Sequence, residues 1–498
     1  MTRVSLISPP VTRVLEAEYD RPDFPRPVLA TLAGYLRHRG MDAEYLLIDG
    51  KMERLSFEEV IRRTAAFRPD VIGITAFTNE IDDAAKLASL LKEALPRATV
   101  VIGGVHVTAL PVLTLTQFPQ FDIGVVGEGE LIFHALCEAL AAGRPLESVK
   151  GIYFRRDGHL VFTGPGPGVV MNLDELGRPA WDLLPPARKF YHVMSERGCP
   201  YACQFCMNPN GRKLRSRSVD SMISEIESLV DRGCTYFEFD DEIFGANKKF
   251  CTALLEGMIE KGLNRRITFY VIAHARFLSE DFAQLLARAG CVTVGFGMET
   301  GDEDQLLKIG KGLTHEIVMK ATRDCQAVGI TVRGFFIIGH EKETWDSAMT
   351  TIRFAARLNL DIPIFGIMVP YPGTRVWELA LRGEGGYKKL SPTWKDYNKQ
   401  VGGAVEMENL SRRQMEFLQF LGYNWVFLRN LRLGDWLRFI WEYRSAGISL
   451  VMNMLKPKPW RPDSEQTGHI LFDRLLEVRT SESEAQDFSD ARGLSTAV

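Results

Sequence analysis

Short apolar segments alternate with amphipathic segments along most of the chain, and the alternation falls into two blocks. In residues 1–145 the continuous apolar segments have the length of strands. The candidate strands are Val4–Ser8, Ala43–Ile48, Val71–Thr75, Thr99–Ile102 and Asp122–Val126, and the candidate helices between them are Val28–Arg39, Phe57–Ala66 and Asp82–Leu95. Buried strands separated by amphipathic helices predict a doubly wound parallel sheet. Ligands of such sheets bind beyond the carboxyl ends of the strands, so the loops there are the first candidates for function.

The second block, residues 191–385, repeats the same pattern. Its candidate strands are His192–Ser195, Tyr236–Phe239, Ile267–Val271, Thr293–Phe296, Gly334–Ile338 and Ile364–Val369. The segment Val219–Asp231 has the apolar periodicity of a helix. This repetition predicts a partial (β/α)6 barrel with its active site at the carboxyl ends of the strands. The fold class is therefore α/β, with a linker over residues 146–190 that contains the turn-rich Gly164–Gly168 segment.

Composition limits the class of protein. The chain has 498 residues, too many for one hydrophobic core, and its net charge of −3 implies no general attraction to nucleic acid. It has no apolar run long enough to span a membrane, and its first residues lead straight into a strand rather than forming a signal peptide. Eight cysteines are too few for a disulfide scaffold in a chain of this length. These features predict a cytoplasmic protein.

Three cysteines lie in the loop at the start of the second block, at the spacing C-x3-C-x2-C: Cys199, Cys203 and Cys206. Three thiolates can hold three irons of a [4Fe–4S] cluster, which usually has four cysteine ligands, and leave the fourth iron open to a small chelating molecule. A structural zinc site would need a fourth ligand. The nearest candidate is His192, and no second cysteine pair exists. Zinc or unreactive thiols remain the alternative to a cluster.

The cysteine spacing, with the aromatic Phe205 just before the third cysteine, resembles the signature of the radical S-adenosylmethionine (SAM) enzymes. The resemblance implies that Cys199, Cys203 and Cys206 hold a [4Fe–4S] cluster whose open iron binds SAM. One electron from the cluster then splits SAM into methionine and a 5'-deoxyadenosyl radical.

Polar residues at the predicted strand ends fit the SAM-binding positions of that family. The resemblance places Asp240 and Asp241 near the SAM amino group and Glu299 near the ribose. Phe205 and Gly339 would lie beside the adenine, although the motif around Gly339 matches only in part. The alternative for each acidic residue is an ordinary turn former or helix cap.

The strand-end loops of the first block, together with the cysteine motif, resemble those of the cobalamin-binding radical SAM enzymes. This group includes the anaerobic magnesium-protoporphyrin ester cyclase and several C-methyltransferases. The resemblance implies cobalamin contacts from these positions: Thr75, Gly103, Gly104, His106, Gly127, Glu128 and Gly129. The loop after the first strand contains no histidine, so we expect cobalt without a histidine ligand from that loop. The open alternatives are a backbone-bonded His106, a helix N-terminal role for Glu128, and a domain that has lost cobalamin.

The resemblance implies a radical SAM enzyme that methylates an unactivated carbon of a biosynthetic intermediate, with the methyl group delivered through cobalamin. A cyclisation, oxidation or rearrangement without methyl transfer is the first alternative, and a non-catalytic iron–sulfur or zinc module is the second. The expected partners are a small substrate, which could be hydrophobic, and an external one-electron donor such as flavodoxin or ferredoxin.

Residues 386–480 are rich in aromatic residues and have helical periodicity, with Leu410–Phe427 and Asp435–Leu455 as candidate helices. We interpret this region as a helical C-terminal domain that caps the barrel. The alternative is an apolar face that admits a hydrophobic substrate or touches a membrane surface. Residues 481–498 are acidic and contain several serines, a composition that predicts a disordered tail.

Overall fold

The computed structural model describes residues 1–12, 20–400 and 402–442, together with four single positions after Glu442. Its first sheet has seven strands in the order β2-β1-β3-β4-β5-β6-β7. The strands are β1 (Thr2–Ser8), β2 (Ala43–Asp49), β3 (Val71–Thr75), β4 (Thr99–Gly103), β5 (Ile123–Val125), β6 (Ile152–Arg156) and β7 (His159–Phe162). The first five are parallel, and β6 and β7 add an antiparallel edge. Both edge strands lie in the segment predicted to be a linker.

Helices connect these parallel strands. They are α1 (Pro27–His38), α2 (Phe57–Phe67), α3 (Ile81–Ala94), α4 (Val105–Ala109), α5 (Pro111–Gln117) and α6 (Gly129–Ala141). The strand order reverses between β1 and β3, which is the position where parallel sheets of this type bind ligands. The Ser56 hydroxyl caps α2 by accepting a hydrogen bond from the Glu59 N–H at 3.2 Å. The core side chains Ile7, Ile74 and Ile102 are buried on adjacent strands.

The second sheet has six parallel strands in the order β15-β14-β13-β12-β11-β8. They are β8 (Tyr191–Val193), β11 (Tyr236–Phe244), β12 (Thr268–Ala273), β13 (Cys291–Glu299), β14 (Thr331–Ile338) and β15 (Ile362–Ile367). The short strands β9 (Glu196–Arg197) and β10 (Arg215–Ser216) pair separately as an antiparallel ribbon. The predicted α/β class, with a doubly wound sheet followed by a six-stranded partial barrel, is confirmed.

Helices also connect the strands of the second sheet. They are α7 (Val219–Asp231), α8 (Lys248–Glu260), α9 (Glu280–Ala289), α10 (Glu303–Ile309), α11 (His315–Ala327), α12 (Trp345–Leu358) and α13 (Arg375–Leu381). Fully buried phenylalanines occupy five successive strands: Phe237, Phe269, Phe296, Phe336 and Phe365. Side chains alternate between the two faces of a strand, so residues next to these phenylalanines point to the other face of the sheet.

The C-terminal part closes one edge of the barrel. It contains the hairpin β16 (Tyr387–Leu390) and β17 (Val405–Met407), followed by α14 (Arg412–Arg429) and α15 (Leu433–Glu442). On α14, Gln419 Nε2 and the Tyr423 hydroxyl donate hydrogen bonds to the Phe365 carbonyl at 2.8 and 3.1 Å. The edge strand β15 is therefore covered rather than open to another chain.

Two sequence predictions for the C-terminal part reach beyond the described residues. The predicted helix to Leu455 is described continuously only as far as Glu442, and the predicted disordered tail, residues 481–498, lies wholly outside. Among the described residues, no helix combines the length and the apolar character needed to cross a bilayer.

Candidate functional site

A cavity of about 320 Å³ lies where the carboxyl ends of the first sheet face the start of the second block. The first block lines it with Thr75, Gly103, Gly104, Gly127, Glu128 and Gly129. The second block contributes His192, Met194, Arg197, Asn210 and Asp240. Six of the seven residues predicted to contact cobalamin are therefore brought together at this cavity, which Pro209 and Asn210 of the cysteine loop also line, whereas the three cysteines do not.

Two glycines of the cavity wall leave open space where a side chain would stand. A Cβ atom built on Gly103 or Gly127 meets no other atom within 4 Å. Gly127 also has φ +95°, a conformation that favours glycine. Bare backbone beside an open cavity lets a large flat ligand approach closely, so this wall fits a corrin.

His106, the seventh predicted residue, does not line the cavity. It lies in α4, where its ring is buried against Trp394 at a centroid distance of 4.8 Å, and its Nδ1 is 3.3 Å from the Thr78 hydroxyl. Burial lowers the pKa of His106 to about 3, so the ring is neutral. The helix α4 turns this side chain toward the C-terminal part and away from the cavity, and its contact with cobalamin stays a prediction.

A buried ion cluster supports the rim of the cavity. Arg26 donates two hydrogen bonds to the Glu80 carboxylate at 2.7 and 2.9 Å, and Lys51 Nζ lies 2.5 Å from the same group. The Arg26 guanidinium also lies 4.5 Å from the centre of the Phe77 ring, which is 48% exposed. The cluster thus holds an exposed aromatic ring at the edge of the cavity.

The three motif cysteines share one loop, residues 198–214, between β9 and β10. Cys199 and Cys203 are partly exposed and Cys206 is exposed, whereas the other five cysteines are buried. The loop begins at Gly198, where φ is +95° and a Cβ atom would lie only 2.3 Å from the Lys213 carbonyl oxygen. Only glycine fits this close return of the chain.

The three thiols of the loop are partly buried, and the Lys311 ammonium lies near them. Burial raises the pKa of Cys203 to about 12, and the nearby Lys311 ammonium acts in the opposite direction. Burial also raises the pKa values of Cys199 and Cys206, and the charge of Cys206 raises that of Cys199 further. Three neighbouring soft sulfur donors match the ligand set of an iron–sulfur cluster. Within the described part of the chain, no three His, Cys, Asp or Glu side chains are arranged around a single-ion site.

The adjacent residues Asp240 and Asp241 have different surroundings. Asp240 lines the cavity, is about half exposed, and lies 3.7 Å from His192 Nδ1. Asp241 is buried and accepts hydrogen bonds from the Ser195 N–H, the Ser195 hydroxyl and the Glu196 N–H at 2.7, 2.5 and 3.0 Å. Its carboxyl group therefore binds the turn before the cysteine loop and does not line the cavity, and its contact with SAM stays a prediction.

The other predicted SAM residues lie at the carboxyl ends of β13 and β14. Glu299 has the unusual φ of +62°, and its Oε1 accepts a hydrogen bond from Lys311 Nζ at 2.5 Å. The Gly339 N–H donates to the Glu343 carboxylate, and its carbonyl accepts from the Tyr387 hydroxyl at 3.2 Å. The Phe205 ring centre is 6.5 Å from that of His340. The structure thus gathers Glu299, Gly339 and Phe205 around the cysteine loop.

The partners of several site residues were not predicted from sequence. Three predicted residues are bound by Lys311, Glu343 and Arg215, and no local motif marks these contacts. Arg197 binds Glu130, and the only sequence signal for Arg197 is its position directly before the cysteine loop. Lys311, the partner of Glu299, lies twelve residues further along the chain.

Glu196, buried beneath the cysteine loop, predicts a pH dependence of stability. Burial raises its pKa to about 7, although hydrogen bonds from Ser216 and Cys251 oppose the shift. The folded chain therefore holds this proton more tightly than the unfolded chain, and stability falls as the pH rises from about 4.5 to about 7. In the wild type the free energy of unfolding should fall by about 3 kcal/mol over this range, and Glu196→Gln should abolish this fall. Urea denaturation at about pH 5 and pH 8 measures the difference. Parallel pH profiles for the two proteins would contradict the assignment.

Models of two protein families match the chain. A B12-binding domain matches residues 16–137, and the radical SAM superfamily matches residues 195–355. The first match covers the strand-end loops of the cavity, and the second covers the cysteine loop and most of the barrel.

Curated relatives and solved structures extend this result. An uncharacterized methyltransferase of Pyrococcus horikoshii is 33% identical over 80% of this chain and 87% of its own length. The anaerobic magnesium-protoporphyrin IX monomethyl ester cyclase of Rubrivivax gelatinosus is 29% identical over 70% of this chain and 65% of its own length. The radical SAM methyltransferase TsrM from Kitasatospora setae has a similar fold, with a TM-score of 0.67 and 19% identity over 81% of this chain and 83% of that structure.

Proposed function

The chain belongs to the radical SAM enzymes that carry a B12-binding domain, and from this premise we propose that it methylates an unactivated carbon of a hydrophobic biosynthetic intermediate in the interdomain cavity. One observation carries the proposal. The glycine-rich wall that fits a corrin and the loop with the three motif cysteines border the same cavity. A methyl donor in this cavity and a radical generator held by the adjoining loop can act on the same substrate carbon.

When bound, SAM and the iron–sulfur cluster supply a hydrogen-abstracting carbon radical, and cobalamin supplies a transferable methyl group. The protein contributes binding, orientation and exclusion of water. Cys199, Cys203 and Cys206 would hold the cluster, and Lys311 places a buried positive charge beside them. Phe205, Asp240, Glu299 and Gly339 would contact SAM.

The cavity suits an apolar substrate. Its lining includes Leu32, Val125, Phe133 and Trp181, and its polar groups are concentrated at the strand ends and beside the cysteine loop. An apolar enclosure with a few directed polar groups is the usual form of a small-molecule site. It also keeps water away from a reactive radical. His192, which lines this cavity 3.7 Å from Asp240, would help to orient the substrate.

Filling the glycine wall tests the corrin site. We expect Gly103→Leu to weaken hydroxocobalamin binding by about tenfold or more, because the new side chain would occupy the open space next to Gly103. The measurement is an absorbance titration of the full chain. Gly434→Leu is the matched control, since a Cβ atom at Gly434 also meets nothing within 4 Å but lies on α15, away from the cavity. Equal affinity in the two variants would contradict the placement of the corrin.

The proposed reaction is tested with SAM that carries a deuterated methyl group. The reconstituted enzyme is incubated anaerobically with a reductant and extracts of apolar metabolites, and the products are compared by mass spectrometry with those from unlabelled SAM. We expect a product that gains the deuterium label and is absent without enzyme. A product formed with deoxyadenosine but without label would contradict methyl transfer.

That second outcome would favour a cyclisation or oxidation. This alternative has a specific basis, because one relative is a magnesium-protoporphyrin ester cyclase. The two reactions share the radical step and differ in the fate of the substrate radical, which gains a methyl group in one and is oxidised or rearranged in the other.

We propose an external one-electron donor such as flavodoxin or ferredoxin, because the described residues offer no second cysteine cluster to store an electron. We also propose that the protein is cytoplasmic, since an exposed iron–sulfur cluster needs reducing surroundings.

A further inference from the structure

Two arginines and two glutamates form a buried group where the first sheet meets the cysteine loop, here termed the interdomain charge cluster. Glu128 and Glu130 follow β5, whereas Arg197 and Arg215 stand at the base of the hairpin whose loop is residues 198–214. The arginine side chains are 10% and 0% exposed, and those of Glu128 and Glu130 are 4% and 6% exposed. Four charges are thus enclosed between the two domains.

The two arginines of the cluster are each paired with one of its glutamates. Arg215 and Arg197 are direct cross-strand neighbours in the ribbon of β9 and β10, and like charges in this position repel. Arg215 donates to both oxygens of Glu128 at 2.5 and 3.0 Å, and Arg197 donates to Glu130 at 2.6 Å. The two carboxylates therefore offset the repulsion between the arginines and stabilise the register of β9 and β10.

The same contacts connect the cavity with the cysteine loop. Glu128, Glu130 and Arg197 all line the cavity. Arg215 does not, but it donates hydrogen bonds to the carbonyl of Asn210, inside the cysteine loop, and to that of Val170, both at 2.8 Å. A ligand that restrains the loop after β5 therefore also restrains the base of the cysteine hairpin.

We propose that the interdomain charge cluster couples occupancy of the cavity to the order of the cysteine loop, so that corrin binding prepares the loop to receive its iron–sulfur cluster. The inference rests on the proposed corrin site. Coupling between two binding events is reciprocal and is typically about 5- to 150-fold in affinity. Arg197 and Arg215 act here as positioning residues, because they hold the loop and take no part in bond making.

Hydrogen exchange of the full chain, prepared without its iron–sulfur cluster, tests this coupling. We expect saturating hydroxocobalamin to slow amide exchange in residues 198–214 of the wild-type protein by about tenfold. In Arg215→Lys the charge remains but the forked contact with Glu128 is lost, so the slowing should fall below about twofold while one corrin is still bound. Arg63→Lys, which alters an arginine paired with Glu53 and Glu59, should behave like the wild type.

The outcomes separate this inference from the corrin site itself. Arg197→Lys, which keeps the charge but loses the planar contact with Glu130, replaces Arg215→Lys if that variant does not fold, and the same loss of slowing with one corrin bound is expected. The coupling is overturned if the folded variant binds corrin and amide exchange is slowed as much as in the wild type, or if the wild type binds corrin and exchange is not slowed. Either result leaves the corrin site intact. A wild-type chain that binds no corrin overturns the site and the coupling together.

Discussion

Replacing Cys199 with alanine is expected to lower 5'-deoxyadenosine formation by roughly a thousandfold or more. The loop provides three thiols, and a cluster that lacks one of three protein ligands loses the geometry that leaves a single iron open. The measurement is anaerobic reconstitution with iron and sulfide, followed by reductant and SAM, with deoxyadenosine quantified by chromatography. Iron and sulfide content should fall in parallel.

Cys325→Ala is the matched control for the cysteine loop. Cys325 is buried in α11 at 0% exposure, outside the loop, so its loss removes a small apolar group only. We expect deoxyadenosine formation within about twofold of the wild type. Equal activity in Cys199→Ala and Cys325→Ala would contradict the assignment of the cluster to the loop.

Glu80→Ala is expected to destabilise the first domain by about 3–5 kcal/mol, the largest effect on folding that we predict. Burial alone would raise the pKa of Glu80, but Arg26 and Lys51 outweigh it and lower the value to about 2. Removing the carboxylate leaves two buried cations with fewer opposite charges, and breaking a buried ion pair from one side carries this cost. The midpoint of urea unfolding, followed by far-ultraviolet circular dichroism, measures the change.

Glu59→Ala provides the comparison for Glu80→Ala. Glu59 also contacts two basic side chains, Arg62 and Arg63, but this group lies on the exposed side of α2. Exposed ion pairs contribute less than about 1 kcal/mol, so this variant should unfold close to the wild-type midpoint. Similar losses of unfolding free energy in Glu80→Ala and Glu59→Ala would contradict the claim that burial makes the Glu80 ion pairs strongly stabilising.

The strands and helices of the first domain and barrel were largely predictable because their signals are local. The helix α7 has the predicted bounds Val219–Asp231, and β3 has the predicted bounds Val71–Thr75. Apolar periodicity and capping residues determine such elements within one short window. The predicted strand over Tyr236–Phe239 instead continues to Phe244, since its register shifts and the acidic residues after Phe239 remain in the strand.

The site was predictable where a motif is contiguous and unpredictable where partners come from distant segments. Six of the predicted cobalamin residues lie along one wall because parallel strands end at the same edge. The direction of His106 depends on Trp394, which no local pattern associates with it. The contact between Arg197 and Glu130 likewise joins two motifs that were recognised separately, across 67 residues.

The central claim is that one cavity serves both a corrin and the radical chemistry of the cysteine loop. The most direct measurement is anaerobic reconstitution with iron, sulfide and hydroxocobalamin, followed by counting of bound corrin and of deoxyadenosine formed from SAM. We predict about one corrin per chain together with reductant-dependent deoxyadenosine, and loss of the corrin in Gly103→Leu. Deoxyadenosine formation by a chain that binds no corrin would contradict the claim and reduce the first domain to a scaffold.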